Sequence, residues 1–210
     1  VLGLMLGIQG RLTENDGLLT PLGLPPLVLF VLGFMLLDFI AYWLHRAAHR
    51  WAWLWRLHAV HHSDTYLDAS TGLRSHPLEV TLSVLFIVPV CLILGIPLWV
   101  EGARAIIANP WAMLQHARIE RLDRLEKHWR WLLATPELHK VHHSTEIDQM
   151  NANFGVVCSI WDRWFGTYLC PEVAPVPRHG LTELADERWQ TLTGMIFTPA
   201  WATGLQAPRH

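Results

Sequence analysis

The phrase LHxVHHS occurs twice in this chain, as LHAVHHS at residues 57–63 and as LHKVHHS at 138–144, and between the copies lies the apolar run VTLSVLFIVPVCLILGIPLWV at 80–100. The flanks RSHPLEVTLS and TEIDQMNANFG share nothing further, so no fold unit is duplicated and only a side-chain constellation recurs. If the run at 80–100 crossed a membrane once, a bilayer would separate the two copies. The GIP at 95–97 is a turn signal, and residues 98–109 can return as a second arm, so a hairpin over 80–109 is expected in place of one ordinary crossing. Cut at the ends of the apolar run, both arms fall short of the about 17 to 25 residues of a full crossing, which favours a tilted or re-entrant hairpin.

A second apolar stretch, PPLVLFVLGFMLLDFIAYWL at 25–44, holds one charge, Asp38. At about 1.5 Å per residue it spans a hydrocarbon core of about 30 Å, and its proline pair suits a helix start. WAWLW at 51–55 resembles an aromatic belt; Arg46, Arg50 and Arg56 lie around it, whereas Arg11 is the only basic residue before Arg46. The positive-inside bias therefore places residue 45 onward in the cytoplasm. The 210 residues carry 16% charged side chains and 12 Trp. With a mean hydropathy of +0.23, this is the composition of one domain partly dissolved in lipid. A net charge of -2 leaves no basic stripe for a nucleic-acid partner. Cys91, Cys158 and Cys170 form no CxxC pair and read as reduced and structural. No signal peptide is read from Val1 onward, and a start further upstream is allowed. Residues 1–24 are expected to be the end of an earlier membrane helix or a loop. RIERLDRLEKHWRW from residue 118 should be a surface helix, and residues 176–210 a cytoplasmic tail, soluble in character.

The thirteen histidines matter by arrangement. His45 and His49 form HxxxH where the first apolar helix leaves the membrane, and an i, i+4 pair shares one helix face. His58, His61 and His62 form HxxHH, as do His139, His142 and His143, each triplet covering an arc of about 100° that can bracket a metal from one side. On an unbroken helix His58 would face away from His49, so a shared site requires a break between residues 50 and 57. His76 and His116 stand alone and read from the residues as structural. Eight clustered imidazoles are too many for one ion and suit two. HExxH, Glu-x-x-His, GxSxG and Gly-rich phosphate loops are all absent. Asp38, Asp148, Asn153 and Asp162 are candidates to orient ligands through hydrogen bonds.

In order, DFIAYWLHRAAH, LHAVHHS, RSHPLE, LQH, TPELHKVHHS and NANFGVVCSIWDRWFGTY resemble the fatty acid hydroxylase / sterol desaturase superfamily over residues 35–170. The resemblance implies an all-α integral-membrane protein, residues 25–175 forming its catalytic domain, with a cytoplasmic helical cap that carries a dinuclear histidine site. It implies two iron ions, zinc being a possible substitute, and O2 as co-substrate to hydroxylate or desaturate a fatty acyl, sterol or isoprenoid-like chain. A separate protein would donate the electrons. It makes ligands of His45, His49, His58, His61, His62, His139, His142 and His143, and raises His76 and His116 to ligands as well. His128, His179 and His210 match no motif. The rival reading is a membrane protein that binds or moves a divalent metal without redox chemistry.

Overall fold

Pro25 and Pro26 start the first long helix, α1 (Pro26–Arg50), where a missing N–H costs nothing. In this computed structural model, which describes residues 17–117, 123–202, 204–205 and 207–208, α1 exposes Leu27, Val28, Val31 and Leu32 near its start and buries Ala48 and His49 near its end. The helix is therefore longer than the apolar stretch that announces it. It stops at Trp51, whose extended backbone (φ -99°, ψ 119°) breaks the ladder and lets α2 (Ala52–His62) set off in a new direction. That break brings the His49 and His58 rings to 5.0 Å, although their spacing on one helix would oppose them.

After a 3-10 turn at Ala69–Leu73 the chain enters a helical hairpin, α3 (Pro77–Leu94) and α4 (Leu98–His116). The turn is made by Gly95 at φ +71°, a left-handed conformation that favours glycine, and by Pro97, which precedes the second arm. The arms hold 18 and 19 residues, longer than the sequence expectation of short arms. One reason is that His76 caps α3 ahead of the apolar run, its Nδ1 accepting from the Leu78 N–H at 3.1 Å. The other is that α4 continues through a mixed stretch to His116, its one charged pair neutralised internally: Arg104 donates to Glu101 at 2.6 and 2.8 Å. Helices α1 and α3 are each long and apolar enough to cross a membrane. Leu37, Ile87, Cys91, Ile96, Leu98 and Val100 form a core between the three long helices. Gly33 allows the close approach of α1 to α4, since a Cβ there would meet Val100 Cγ1 at 2.9 Å.

A helical cap covers one end: α5 (Asp123–Trp129), α6 (Pro136–His142), α7 (Ile147–Met150), α8 (Ile160–Trp164), α9 (Glu187–Gln190) and α10 (Leu192–Trp201). No strand forms among the described residues beyond isolated bridges, Leu133 with Cys158 and Ser144 with His179. Residues 1–16 and 118–122, the bulk of the expected N-terminal segment and the start of the expected surface helix, lie outside the described residues. Residues 17–24 lie against the hairpin turn, with the Leu18 and Leu19 N–H groups donating to the Ile93 and Leu94 carbonyls. In the stretch after residue 176, Leu181, Leu184, Trp189 and Ala202 pack into one core with Trp55, Ala59 and Met150.

Candidate metal centre

Nine of the ten histidines singled out by the sequence converge where α1, α2, α4 and α6 meet, and they form two groups. His45, His49, His58, His62 and His142 place one ring nitrogen each within 4.8 Å of one another, and His61, His116, His139 and His143 do the same beside them. The two triplets therefore meet on one side of the hairpin. Neither triplet serves a single group, as the expected one-sided bracket would. Positions i and i+4 of HxxHH lie on one helix face and i+3 lies about 60° to the other side. Thus His58 and His62 join the first group while His61 joins the second, and His139 and His143 join the second while His142 joins the first. The groups touch through the His62 and His143 rings, stacked at 4.4 Å between centroids.

Five of the nine imidazoles have their tautomer set by an acceptor on Nδ1, which must then carry the proton. His45 donates to the Phe154 carbonyl at 2.9 Å, His142 to the Ala152 carbonyl at 2.8 Å and His61 to the Arg74 carbonyl at 3.1 Å. His116 donates to the Ala112 carbonyl at 2.6 Å, one turn back on its own helix, and His58 to Glu79 Oε1 at 2.6 Å. Each of these bonds leaves a lone pair on Nε2. In the first group the Nε2 atoms of His45, His58 and His142 and both nitrogens of His49 and His62 are buried with no hydrogen-bond partner. A buried polar atom without a partner is uncommon and calls for an ion or similar explanation.

The second group gives a sharper test of fit. His143 Nε2 lies 3.0 Å from His116 Nε2, 3.1 Å from His61 Nε2 and 3.2 Å from His139 Nε2, and the His116 and His139 Nε2 atoms are 3.0 Å apart. With His61 and His116 presenting lone pairs, protons on the other two rings could satisfy only some of these contacts. A metal ion with bonds of about 2.0 Å satisfies all four, since its tetrahedral edge is about 3.3 Å. Burial, the leading cause, holds His61, His62, His139 and His143 well below the usual histidine range and His142 at about 3. Burial thus favours the uncharged, metal-ligating form of these five rings.

A cavity of ≈ 840 Å³ reaches both groups, touching His45 and His58 of the first and His61, His116 and His139 of the second. From there it runs between α1, α3 and α4, walled by Leu44, Leu82, Phe86, Ile87 and Ala108, with Arg104 also in its lining. This size and mostly apolar wall suit a small hydrophobic ligand.

The sequence profile described as fatty acid hydroxylase matches residues 30–167. The chain belongs to this family. Relatives include ornithine lipid hydroxylase OlsE of Rhizobium tropici, 33% identical over 160 residues, covering 73% of this chain and 44% of that protein. Human (Homo sapiens) alkylglycerol monooxygenase is 34% identical over 136 residues, covering 64% of this chain and 29% of its own length. A very-long-chain aldehyde decarbonylase of Oryza sativa subsp. japonica is 28% identical, over 62% of this chain and 21% of that one. The chain thus spans less than half the length of these relatives. No solved structure matches it.

In this fatty acid hydroxylase family member the remaining candidates do other work. His76 lies in neither histidine group: Nδ1 accepts the Leu78 N–H and Nε2 donates to the Ile196 carbonyl at 2.9 Å, so no lone pair remains for a metal. Asp38 bonds no histidine; it accepts from the Val157 and Cys158 N–H groups at 3.1 Å each and from Trp161 Nε1 at 2.9 Å. Asp162 accepts from the Phe154 and Gly155 N–H groups at 2.7 and 2.9 Å, and so fixes the residue whose carbonyl orients His45. Burial raises its carboxyl to about 6. Asn153, in the left-handed region at φ 55°, bridges the Leu138 and Leu169 carbonyls, and Asp148 is exposed. Sequence reasoning missed Glu79. It lies 21 residues from His58, and its signals are its place at the end of RSHPLE and a carboxylate in the first turn of an apolar helix.

Proposed function

We propose that this protein is a membrane-bound di-iron oxygenase that hydroxylates a lipid chain with O2. The observation that carries the reading is the juxtaposition of two imidazole groups, of five and four candidate ligands, with the end of an apolar cavity between membrane-length helices. The first iron would be held by His45, His49, His58, His62 and His142, the second by His61, His116, His139 and His143. Bound iron supplies redox-active centres with open positions for oxygen chemistry, which zinc cannot. The protein's part is to orient and to exclude. The carbonyls of Phe154, Ala152, Arg74 and Ala112 and the Glu79 carboxylate aim five rings inward. Leu44, Leu82, Phe86 and Ile87 give an acyl or similar chain a dry path along α1 and α3 to the histidines. The ornithine lipid hydroxylase and alkylglycerol monooxygenase relatives, lipid-directed by name, support a lipid substrate.

In the overall reaction one oxygen atom enters a C–H bond and the other leaves as water, with two electrons from a separate donor protein and two protons. The metal end faces the cytoplasm in this reading, supported by Arg46, Arg50 and Arg56 at that end of α1. Membranes from cells making the protein, supplied with 18O2 and reductant, should contain a lipid carrying one heavy oxygen, absent when His142→Ala replaces the native chain. Heavy oxygen at equal levels in both, or in neither, contradicts the proposal; a new double bond without heavy oxygen would make the enzyme a desaturase.

A further inference from the structure

Helix α10 (Leu192–Trp201) is built inside out. The sequence LTGMIFTPAW has no charged residue, yet its large apolar side chains point away from the protein: Leu192 is 71% exposed, Ile196 and Phe197 42% each and Trp201 57%. At about 100° per residue these four fall within one half of the helix. The opposite side holds Gly194 and Thr198, with Ala202 just beyond, and these are the buried residues. Gly194 lies so close to the preceding helix that a Cβ would meet the Arg188 carbonyl oxygen. In water such a helix would turn over and bury Leu192, Ile196 and Phe197, as the amphipathic rule requires. The structure holds it the other way with specific bonds. His76 Nε2 donates to the Ile196 carbonyl at 2.9 Å and Arg56 Nη1 to the Pro199 carbonyl at 3.5 Å, while the buried Thr198 hydroxyl is satisfied within the helix by the Gly194 carbonyl at 2.8 Å.

The His76 bond also fixes where the apolar face lies. His76 is the N-cap of α3, the helix long and apolar enough to cross a membrane, and Leu78 and Val80 in its first turns are 56% and 52% exposed. The exposed face of α10 is therefore tied to the point where α3 leaves the bilayer. Phe197 and Trp201 stack at 4.4 Å, a pair of rings suited to the headgroup boundary, and the charged residue nearest the helix, Arg188, precedes it. We infer that α10 is a monotopic membrane contact, lying in the plane of the interface with Leu192, Ile196, Phe197 and Trp201 in the outer acyl region. It provides the cap with a lipid anchor independent of the spanning helices. The segment read from sequence as a soluble tail is thereby assigned to the membrane. The inference rests on the membrane reading of α3 and is independent of the reaction.

The test uses the whole chain in phosphatidylcholine nanodiscs, with Cys170→Ser removing the one cysteine that is not buried. Ile196→Cys and Phe197→Cys each carry an environment-sensitive dye. Leu85→Cys on the exposed face of α3 reports the membrane reading, and Glu183→Cys reports a position in water. Dyes at 196 and 197 should be quenched by lipids bearing a nitroxide near the headgroup and be several-fold less sensitive to iodide than the dye at 183. Iodide quenching equal to that at 183 would put the helix in water and overturn the inference. Shielding from both quenchers would show a protein partner or second copy on this face, and overturn it too. A dye at 85 that ignores the nitroxide lipids would remove the membrane reading and the inference together, whereas quenching at 85 without quenching at 196 and 197 sinks the anchor alone.

Discussion

Replacing Asp38 by Asn should separate the two histidine groups. The carboxylate is wholly buried in α1 and accepts from three donors of the 157–161 segment: the Val157 and Cys158 N–H groups at 3.1 Å and the Trp161 indole at 2.9 Å. An amide has one oxygen. Placed at the Oδ2 position it keeps the Cys158 and Trp161 bonds, but its NH2 then confronts the Val157 N–H. One buried donor is orphaned, at about 1–3 kcal/mol, and the surviving bonds lose their charge assistance. A net loss of about 2 kcal/mol raises the local opening constant about thirtyfold. The neighbouring backbone holds the Ala152 and Phe154 carbonyls that orient His142 and His45, both in the first group. The second group leans on Arg74 and Ala112, elsewhere in the chain. Hydrogen exchange of peptides spanning 152–162 should speed up by that factor, and metal content should fall from two toward one per chain. Unchanged exchange with both metals kept, or equal loss from both groups, would refute the reasoning.

Glu79→Ala removes the carboxylate from His58 Nδ1, 2.6 Å away, and should weaken metal binding in the first group by roughly 10- to 100-fold in chelator competition. Gly72→Val should act on the second group instead, because a Cβ at 72 would meet the backbone of Met113 at 2.8 Å, pushing the 3-10 turn off α4 between the anchors of His61 and His116; metal analysis should show that loss with the first group filled. His76→Ala should cost about 2 kcal/mol, from the lost helix cap and the lost bond to the Ile196 carbonyl, and leave metal content unchanged, while His116→Ala loses a metal. Equal metal loss in both histidine variants would restore His76 as a ligand.

The repeated phrase was enough to require both triplets on one side of the hairpin, because a bilayer cannot separate ligands of one site. HxxxH on the exit of α1 was legible from spacing alone, and so was the need for a break, found at Trp51. The division of each triplet between two groups was not. A helical wheel gives the angle between His58, His61 and His62 but not the directions from which His49 and His116 arrive. His76 illustrates a local signal outweighed by a resemblance: a residue directly before Pro77 stands where an N-cap stands, and its two nitrogens are spent on Leu78 and Ile196. Glu79 and Asp38 exert their effects across long stretches of chain, to His58 and to Trp161, which no periodicity encodes. Helix α10 was hidden differently: LTGMIFTPAW is too short to span a membrane and falls in the stretch expected to be a soluble tail, and only the fold shows that Gly194 and Thr198 face inward and the large apolar residues outward.

The central claim is that nine imidazoles hold two iron ions against a lipid cavity. Metal analysis of the purified protein, coupled to O2 consumption with reductant and lipid, tests it most directly. The account predicts two irons per chain, near one in His142→Ala or His143→Ala, and O2 uptake that matches hydroxylated product. Stoichiometric zinc that iron reconstitution cannot convert into turnover would contradict it.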